Sequence, residues 1–550
     1  MTKKHIPVLV VGLLIVLVAL AGGAVYGINK LIPSRKQMDL TEYYGQNADG
    51  EAALILGTEK LEEKALISGE DVYLPLDVVN GYLNQRYYWD SENKKILYAT
   101  PSSLTEEPAS DKADGNVWLK DDTVYLKLDY VKKYTDIDSY IEQDPARVAI
   151  QYKFTNVETV TTKKDTVIRY RGGIKAPILS KLAKNTVLRL MNEGEDWDQV
   201  ATDDGYIGYI QKKKVSAVDT TDYERDFKTE SYTYLTMDEP VNLAWHQVTS
   251  TDANSYFADA VQNMTGVNVI SPTWFSVTDN SGNISSLASG EYVMQAHEKG
   301  LKVWGLVDNF NENMSTTEVL SKTSSRQNLE NQLITYALKA GLDGINVDFE
   351  SLSEGVGIHF LQFLRELSIQ CHANNLVLSV DNPVPEDFTS HYDRAEQGKV
   401  VDYVIIMGYD EHYAGSEEAG SVASHDFVER GITRTLEEVP KEKVINAVPF
   451  YTRFWKTDPD GTVSSEALGM NAADEKVANN NAEKVWDDTT KQYYVEIDYN
   501  GSLYQMWMEE ETSIEDKMQL IKQYDLAGVA SWRLGYERAS IWDVILKYVN

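Results

Sequence analysis

The stretch Gly341–Glu350, GLDGINVDFE, decides the fold and directs the search for a functional site. Three polar side chains, Asn346, Asp348 and Glu350, occupy every second position of an otherwise apolar run. Side chains alternate between the two faces of a strand, so these three share one face and the apolar residues share the other. A strand that is buried on both faces is typical of a parallel sheet. Because unpaired buried carboxylates are unfavourable, the polar face indicates a function other than packing.

Strand-like apolar runs recur from about residue 230 to residue 550, with helix-length amphipathic segments between them. The eight runs are VNLAW, VNVISPTWF, LKVWGLV, GINVDF, LVLSVD, VDYVIIMGY, KVINAVPFY and GVASW. Strands that alternate with helices pair in parallel through right-handed crossovers. Eight such units predict an α/β fold with a closed (β/α)8 TIM barrel over residues 230–550, since about 250 residues is usual for that barrel. The longer stretch at about 454–511 predicts an inserted α+β subdomain.

In such a barrel the polar face of GINVDF points into the lumen and rises towards the carboxyl ends of the strands, where barrel enzymes place their chemistry. Asp348 and Glu350 have no Arg or Lys close by in the sequence, so burial and mutual repulsion are expected to raise at least one of the two pKa values. A carboxyl group that stays protonated near neutral pH is suited to general acid catalysis. The alternative is a barrel strand whose polar side chains are all satisfied by buried partners.

The run Asp343–Glu350, DGINVDFE, resembles the fourth-strand signature D-G-x-D-x-D-x-E of glycoside hydrolase family 18. Three other strands agree with that family. Met407-Gly408-Tyr409-Asp410 is similar to its M-x-Y-D, Pro449-Phe450-Tyr451 to its P-x-Y, and Trp532 to the tryptophan of its eighth strand. The resemblance covers about the last 320 residues. It implies a glycosidase that acts on a polysaccharide containing N-acetylglucosamine, such as peptidoglycan or chitin, without a cofactor.

The resemblance also implies a substrate-assisted, retaining mechanism, in which the sugar's own 2-acetamido oxygen attacks the anomeric carbon. Glu350 then protonates the leaving oxygen and afterwards activates water. Asp348 accepts the acetamido N–H and orients that group, and Tyr409 donates its hydroxyl to the acetamido oxygen. Trp532 stacks on the sugar ring. Tyr409 and Trp532 could instead be structural residues at the mouth of the barrel.

One position departs from the family signature, because Asn346 stands where chitinases of this family carry the first Asp. An amide cannot store a proton, but it can hydrogen-bond Asp348, and we expect Asn346 to belong to the substrate-binding group with Met407 and Asp410. Asn at this position resembles the branch that includes spore-cortex and cell-wall peptidoglycan hydrolases. Since Glu350 is present, we expect activity. The alternatives are a chitinase and a non-catalytic sugar-binding protein on the same barrel.

Residues 38–155 predict a small α+β domain built around a repeat. Val72–Val79 reads VYLPLDVV and Val124–Val131 reads VYLKLDYV, and each pattern predicts a strand that runs into a short helix. The segment resembles the domain named after the N-terminal domain of copper amine oxidases. It contains no His and no Cys, so we expect no copper site there. A generic α+β domain is the alternative.

Residues 160–216 resemble a bacterial SH3-like β-barrel. The resemblance depends on Trp197, on the pair Asp204-Gly205 and on the final strand around Tyr209. The Asp-Gly pair predicts a tight hairpin turn that needs a positive φ. Modules of this type often bind cell-wall peptides, although Trp197 and Tyr209 could simply be the core of a small barrel.

The N-terminus predicts a membrane anchor. Ile6–Ile28 contains 23 residues without a charge, which is enough for a helix that crosses the hydrocarbon core. Residues 1–5 would then form a cytoplasmic tail, and the long acidic remainder, with the catalytic domain, would be extracellular. The alternative is a cleaved signal peptide, because Ala19-Leu20-Ala21 resembles a cleavage site.

Composition excludes other classes of function. The net charge is −33, which argues against nucleic acid as a partner, because such proteins need a basic surface. The single cysteine, Cys371, allows no internal disulfide, and no Cys/His cluster has the spacing of a zinc site. We therefore expect no metal.

Overall fold

The computed structural model describes residues 6–549, apart from the side chains of residues 6–9 and 21–29, so the predicted cytoplasmic tail at residues 1–5 lies outside the described residues. The chain divides into two compact units. The first comprises residues up to Thr229 except the segments 90–93 and 97–105, and the second comprises those segments and the chain from Glu230 onwards.

The first helix, Ile6–Leu31, contains the apolar run for which the sequence predicts an anchor. Among the residues that the structure describes, none of the helices has both the length and the apolarity that crossing a membrane requires. The second helix, Leu40–Tyr44, begins after Asp39, whose carboxylate accepts hydrogen bonds from two backbone N–H groups of the first turn.

Ten strands form one sheet in the region predicted as an α+β domain. The two copies of the repeat pair with each other in antiparallel fashion, with Leu74 opposite Leu126. Each copy runs directly into a helix, as the pattern predicts: Leu76–Val78 after the first and Leu128–Tyr134 after the second. The likeness to the amine-oxidase-type domain stays a prediction. The strands are Glu51–Leu56, Glu59–Ser68, Asp71–Pro75, Tyr87–Asp90, Lys95–Ala99, Leu104–Ser110, Val117–Lys120, Thr123–Lys127, Asp138–Gln143 and Ala146–Gln151, and a π-helical turn covers Val79–Leu83.

Seven antiparallel strands form a second sheet where the SH3-like domain is predicted. The hairpin turn is present, since Gly205 has a φ of 91°. Trp197 and Tyr209 are only partly buried and lie side by side over Gly172, outside the small core around Val200 and its neighbours. The SH3-like assignment itself stays a prediction. The strands are Val157–Thr161, Thr166–Arg169, Ile178–Leu182, Val187–Asn192, Trp197–Ala201, Ile207–Gln211 and Asp219–Thr221, and a 3₁₀ turn covers Lys212–Lys214.

Eight parallel strands close into a barrel in the second unit, which confirms the predicted fold class. They are β1 Val241–His246, β2 Val269–Val277, β3 Lys302–Asp308, β4 Gly344–Asp348, β5 Val377–Pro383, β6 Tyr403–Met407, β7 Val444–Pro449 and β8 Gly528–Trp532. Each strand pairs with the next in parallel register, and β8 pairs with β1 to close the ring. A short strand, Ile284–Ser286, adds to the outer end of β2 in antiparallel fashion.

Helices cover the outside of the barrel and bury the apolar face of β4. Ile345, Val347 and Phe349 are at most 1% exposed and belong to the main hydrophobic core. Buried ion pairs join successive helices, for example Arg326 to Glu366 at 2.9 Å. The helices are Phe257–Ala260, Gly290–Glu298, Thr316–Ser321, Thr323–Ala340, Gly357–Ala373, Arg394–Val400, His425–Leu436, Glu511–Gln523 and Ser540–Ile545, with 3₁₀ turns at Asp252–Tyr256, Glu354–Val356, Asp387–Tyr392 and Lys441–Lys443.

A five-stranded antiparallel sheet and one helix lie between β7 and β8, in the region for which the sequence predicts an insertion. The segment begins at Tyr451, directly after β7, rather than at about residue 454. The boundary differs because the first inserted strand continues from β7 after a single residue, Phe450. The strands are Tyr451–Thr457, Val463–Gly469, Val485–Asp487, Gln492–Tyr499 and Ser502–Met508, and the helix is Met470–Asn479.

Candidate active site

The polar face of β4 lines the barrel lumen and ends at the mouth. Asn346 is fully buried and Asp348 is 5% exposed, whereas Glu350, two residues past the end of β4, is partly exposed. Gly344 starts this face because a Cβ there would lie 2.7 Å from both the Trp304 ring and the Val377 carbonyl oxygen. The strand therefore delivers one buried and one accessible carboxyl group to the same end of the barrel.

Three carboxyl groups stand in a row across adjacent strands. Asp308 on β3 is the register partner of Asp348 on β4. The register of β4 and β5 pairs Val347 with Val380, so the next pair is Asp348 with Asp381. Neighbouring strands are only about 4.8 Å apart. Asp348 is therefore flanked by a carboxyl group on each side.

The three carboxyl groups differ in their hydrogen bonds. Asp308 accepts from the Ser276 hydroxyl at 2.7 Å, and Asp381 accepts from the Asn346 amide at 2.8 Å. Asp348 Oδ1 is buried and accepts no hydrogen bond from any residue that the structure describes. A buried oxygen without a donor is unfavourable, so Asp348 has an open position for a donor that a ligand would bring.

Burial and crowding both raise the pKa values of this cluster. Burial raises the pKa of Asp348 well above its ordinary value, and the charges of Asp381, Glu350 and Asp308 raise it further. Burial also raises the pKa of Glu350, with additional repulsion from Asp410 and Asp308. The predicted upward shift at this pair is confirmed. Glu350 is accordingly the accessible group that can donate a proton at a pH where an ordinary glutamate is ionised.

Asn346 uses its whole hydrogen-bonding capacity inside the protein. Its Oδ1 accepts from the Trp245 ring N–H at 2.9 Å and from the Ser271 hydroxyl at 3.1 Å. Its Nδ2 donates to Ser379 Oγ at 3.1 Å and to Asp381 Oδ1 at 2.8 Å. An amide has two acceptor and two donor positions, and all four are occupied.

These contacts correct two expectations about Asn346. It does not hydrogen-bond Asp348, because its two N–H groups are directed to β5. It is also unavailable to a sugar, since it is fully buried and saturated. Asn346 therefore fixes strands β1, β2, β4 and β5 to one another beneath the site.

Tyr409 and Asp410 follow β6 and lie near the carboxyl groups of β4 and β5. The pKa of Tyr409 is raised well above its ordinary value by burial, by Tyr451, and by the carboxyl groups of Asp348, Asp381 and Glu350, so its hydroxyl remains a donor. Asp410 has a φ of 60° and accepts a hydrogen bond from the Tyr451 hydroxyl at 2.5 Å. Met407, the last residue of β6, is partly buried. The structure thus places two of the predicted M-x-Y-D residues, Tyr409 and Asp410, near the carboxyl groups of the site.

A cavity of about 290 Å³ opens at the mouth of the barrel, and both Asp348 and Trp532 line it. Trp532 packs edge-to-face on Trp245, with ring centroids 5.8 Å apart. The predicted sugar platform and the predicted orienting carboxyl group therefore face one space. Other lining residues include Trp274, Phe275, Leu306, Asp308 and Phe310.

Three further residues, which no motif of the sequence singles out, shape this site: Asp308, Asn309 and Asp381. Asn309 follows β3, and its side chain holds the backbone of Glu350. Its Oδ1 accepts from the Glu350 N–H at 2.9 Å and its Nδ2 donates to the Glu350 carbonyl oxygen at 3.0 Å. The only signal in the sequence is that polar residues end two strand runs, in LVDNF and LSVDNP.

Comparison with known proteins agrees with this geometry. The sequence profile described as "Glycosyl hydrolases family 18" matches residues 205–537. "Uncharacterized glycosylase YvbX" of Bacillus subtilis is 27% identical over 296 residues, which cover 52% of this chain and 85% of that protein. "Cortical fragment-lytic enzyme" of Bacillus subtilis is 26% identical over 240 residues, which cover 42% of this chain and 56% of that protein.

Solved structures share the fold of the barrel. A crystal structure of a chitinase from Chromobacterium violaceum superimposes with a TM-score of 0.50 at 23% identity and covers 56% of this chain and 98% of its own. At that identity the similarity concerns the fold alone. It agrees with the eight-stranded parallel barrel described above.

Proposed function

The chain belongs to glycosyl hydrolase family 18 and is a chitinase-like glycoside hydrolase, and on that premise we propose that it cleaves β-linked N-acetylglucosamine bonds in peptidoglycan. The proposal rests chiefly on one arrangement. An accessible carboxyl group with a raised pKa, Glu350, lies next to a buried one, Asp348, whose Oδ1 has no donor among the described residues.

Glu350 is the proposed general acid and base. It protonates the oxygen of the leaving sugar and then, as a carboxylate, removes a proton from the attacking water. Its raised pKa supports the first step, because burial and the neighbouring carboxyl groups favour the protonated form of Glu350 more than that of an ordinary glutamate. A positioned acid of this kind contributes about 10²–10⁴-fold to the rate.

Asp348 and Tyr409 are the proposed partners of the sugar's acetamido group. The acetamido N–H can satisfy the open Oδ1 of Asp348, and the Tyr409 hydroxyl, which stays protonated, can donate to the acetamido oxygen. With the acetamido group held at its N–H and at its oxygen, that oxygen is directed at the anomeric carbon and acts as the nucleophile. Trp532, which lines one cavity together with Asp348, provides the face on which the sugar ring stacks.

Peptidoglycan is the proposed polymer for two reasons. Asn346 replaces the first Asp of the chitinase signature, which resembles the branch of the family that includes cell-wall peptidoglycan hydrolases. In the structure this amide has four protein partners. One relative, which matches 42% of this chain, is named a cortical fragment-lytic enzyme. Chitin shares the N-acetylglucosamine unit and is the competing substrate.

The test uses the purified full chain in detergent, with peptidoglycan and chito-oligosaccharides as parallel substrates. New reducing ends should appear faster on peptidoglycan, and mass spectrometry of the products should place N-acetylglucosamine at the new end. E350Q should release none while keeping the wild-type melting curve. Faster cleavage of chito-oligosaccharides would identify a chitinase, and binding without cleavage by both proteins would identify a sugar-binding protein.

Extracellular display on a membrane anchor is a second part of the proposal. It is supported by the uncharged run Ile6–Ile28 and by the outward-facing apolar side chains of Val10–Leu20. We propose that the SH3-like domain contacts the wall. The full chain should stay with membranes through alkaline carbonate extraction and be cleaved by protease added to intact cells, whereas a variant lacking residues 1–31 should be released. Full-length protein in the carbonate supernatant would contradict the anchor.

A further inference from the structure

Asp381 is a buried carboxyl group that the mechanism above does not use. It is 1% exposed on β5, and the strand register places it beside Asp348. The groups that face it are Asp348 of β4, Glu350 just past the end of β4, and the phenol of Tyr409 after β6. A carboxyl group so placed needs a reason, because an unpaired buried charge is strongly unfavourable.

The hydrogen bond from Asn346 shows how Asp381 is held. The Asn346 amide N–H donates to Asp381 Oδ1 at 2.8 Å, so that oxygen is an acceptor and any proton on Asp381 resides on Oδ2. Two carboxyl groups side by side cannot both ionise in a buried site, and such pairs share one proton. The strand pairing therefore places two buried carboxyl groups, those of Asp348 and Asp381, side by side on adjacent strands.

We propose that Asp381 is the positioning residue that holds the proton of Asp348 during catalysis, in the place where the family signature would put a carboxyl group on β4 itself. This inference rests on the proposed function. Without substrate the pair carries one proton between Asp348 and Asp381 Oδ2. When the acetamido N–H approaches, that proton stays on Asp381 and Asp348 becomes the carboxylate that accepts the N–H. No proton leaves the pair, and no other reactant is needed.

The fixed amide explains why the carboxyl group can stand on the neighbouring strand. Asn346 cannot take a proton, but it links Ser379 and Asp381 of β5 to β1 and β2 through four hydrogen bonds. Asp381 is thereby kept at the level of Asp348. Asn346, at the signature position on β4, therefore holds Asp381 in place by a hydrogen bond instead of carrying the proton itself.

Asp381→Asn tests the inference, because the amide keeps an oxygen for the Asn346 N–H but cannot hold the shared proton. We expect kcat on the cleaved polymer to fall about 10- to 100-fold, the size of effect produced by a misplaced reacting group, with KM nearly unchanged and the pH profile altered. Ser379→Ala is the matched control: it removes a neighbouring contact of the same amide but no carboxyl group, and the shape of its pH profile should not change.

A carboxyl swap makes the test independent of folding defects. The double variant N346D/D381N returns the carboxyl group to β4 and should recover most of the activity and the wild-type pH profile. A D381N enzyme with wild-type kcat and pH profile would overturn the inference, as would a folded swap variant that is no more active than D381N. If D381N does not fold, the swap variant alone decides. Wild-type protein that cleaves no N-acetylglucosamine polymer would instead refute the proposed function.

Discussion

Asn309 offers a sharp test of how the general acid is positioned, because its side chain hydrogen-bonds the backbone of Glu350 and not its carboxyl group. Its amide makes two hydrogen bonds to that backbone, at 2.9 and 3.0 Å, and a third to the Thr316 hydroxyl at 3.0 Å. Asn309→Ala removes all three. Glu350 then lies just past the end of β4 without its brace.

The expected magnitudes follow from those contacts. Each lost hydrogen bond lowers the free energy of unfolding by about 1 kcal/mol, so the variant should be destabilised by about 2–3 kcal/mol in total. Glu350 should also lose its alignment with the leaving oxygen, and a displacement of about 1 Å can reduce the rate about 100-fold. We therefore expect kcat to fall about 10- to 100-fold with little change in KM, since the sugar contacts of Trp532 are untouched.

The assay combines urea unfolding with initial rates of reducing-end release. Asn311→Ala is the matched control, because Asn311 lies in the same loop and hydrogen-bonds the Thr278 carbonyl oxygen at 2.8 Å and the Asn313 N–H at 3.0 Å. It should lose comparable stability but keep its kcat. If Asn309→Ala loses stability and retains the wild-type kcat, the reasoning about Glu350 is refuted.

Three further predictions concern the same barrel. First, kcat/KM should fall as pH rises through the pKa of Glu350, because the general acid then loses its proton. Asp410 contributes to the raised pKa of Glu350, so Asp410→Asn, which removes a repelling charge, should lower that pKa and move the decline to lower pH. A pH profile that does not move would contradict the prediction. Second, Trp532→Ala should reduce kcat/KM at least about tenfold, equivalent to about 1.4 kcal/mol, mainly by raising KM. The control Phe388→Ala, which changes a 78% exposed residue, should have no effect. Equal kinetics for the two variants would rule out Trp532 as the surface on which the sugar stacks. Third, Gly344→Ala should destabilise the protein by about 1–3 kcal/mol, because its Cβ would lie 2.7 Å from Trp304 and from the Val377 carbonyl oxygen. Gly355→Ala is the control in thermal unfolding, because a Cβ at Gly355 would lie in open space. Equal melting temperatures for the two variants would contradict the close packing at Gly344.

The barrel could be predicted from the sequence because its signal is local. Alternation along GINVDF places Asp348 and Glu350 on one face without reference to any other strand, and the repeated strand and helix runs imply parallel pairing. Asp381 could not be predicted as a site residue, because its position beside Asp348 depends on the register of β5 against β4.

The contacts of Asn346 and Asn309 could not be predicted for the same reason. The four partners of Asn346 come from three other strands. Nothing in the sequence distinguishes these partners from Asp348, to which a hydrogen bond was expected. Asn309 reaches Glu350 across 41 residues of chain. Such contacts depend on relative strand positions, which side-chain periodicity does not encode.

The most direct test of substrate-assisted cleavage at Asp348 and Glu350 compares two oligosaccharides that differ at one atom group. The sugar on the non-reducing side of the scissile bond carries a 2-acetamido group in one and a 2-hydroxyl group in the other. Because the acetamido oxygen is the proposed nucleophile, kcat/KM should be at least about 100-fold higher for the acetamido compound, the minimum expected of a positioned intramolecular nucleophile. Equal rates of cleavage would contradict the mechanism.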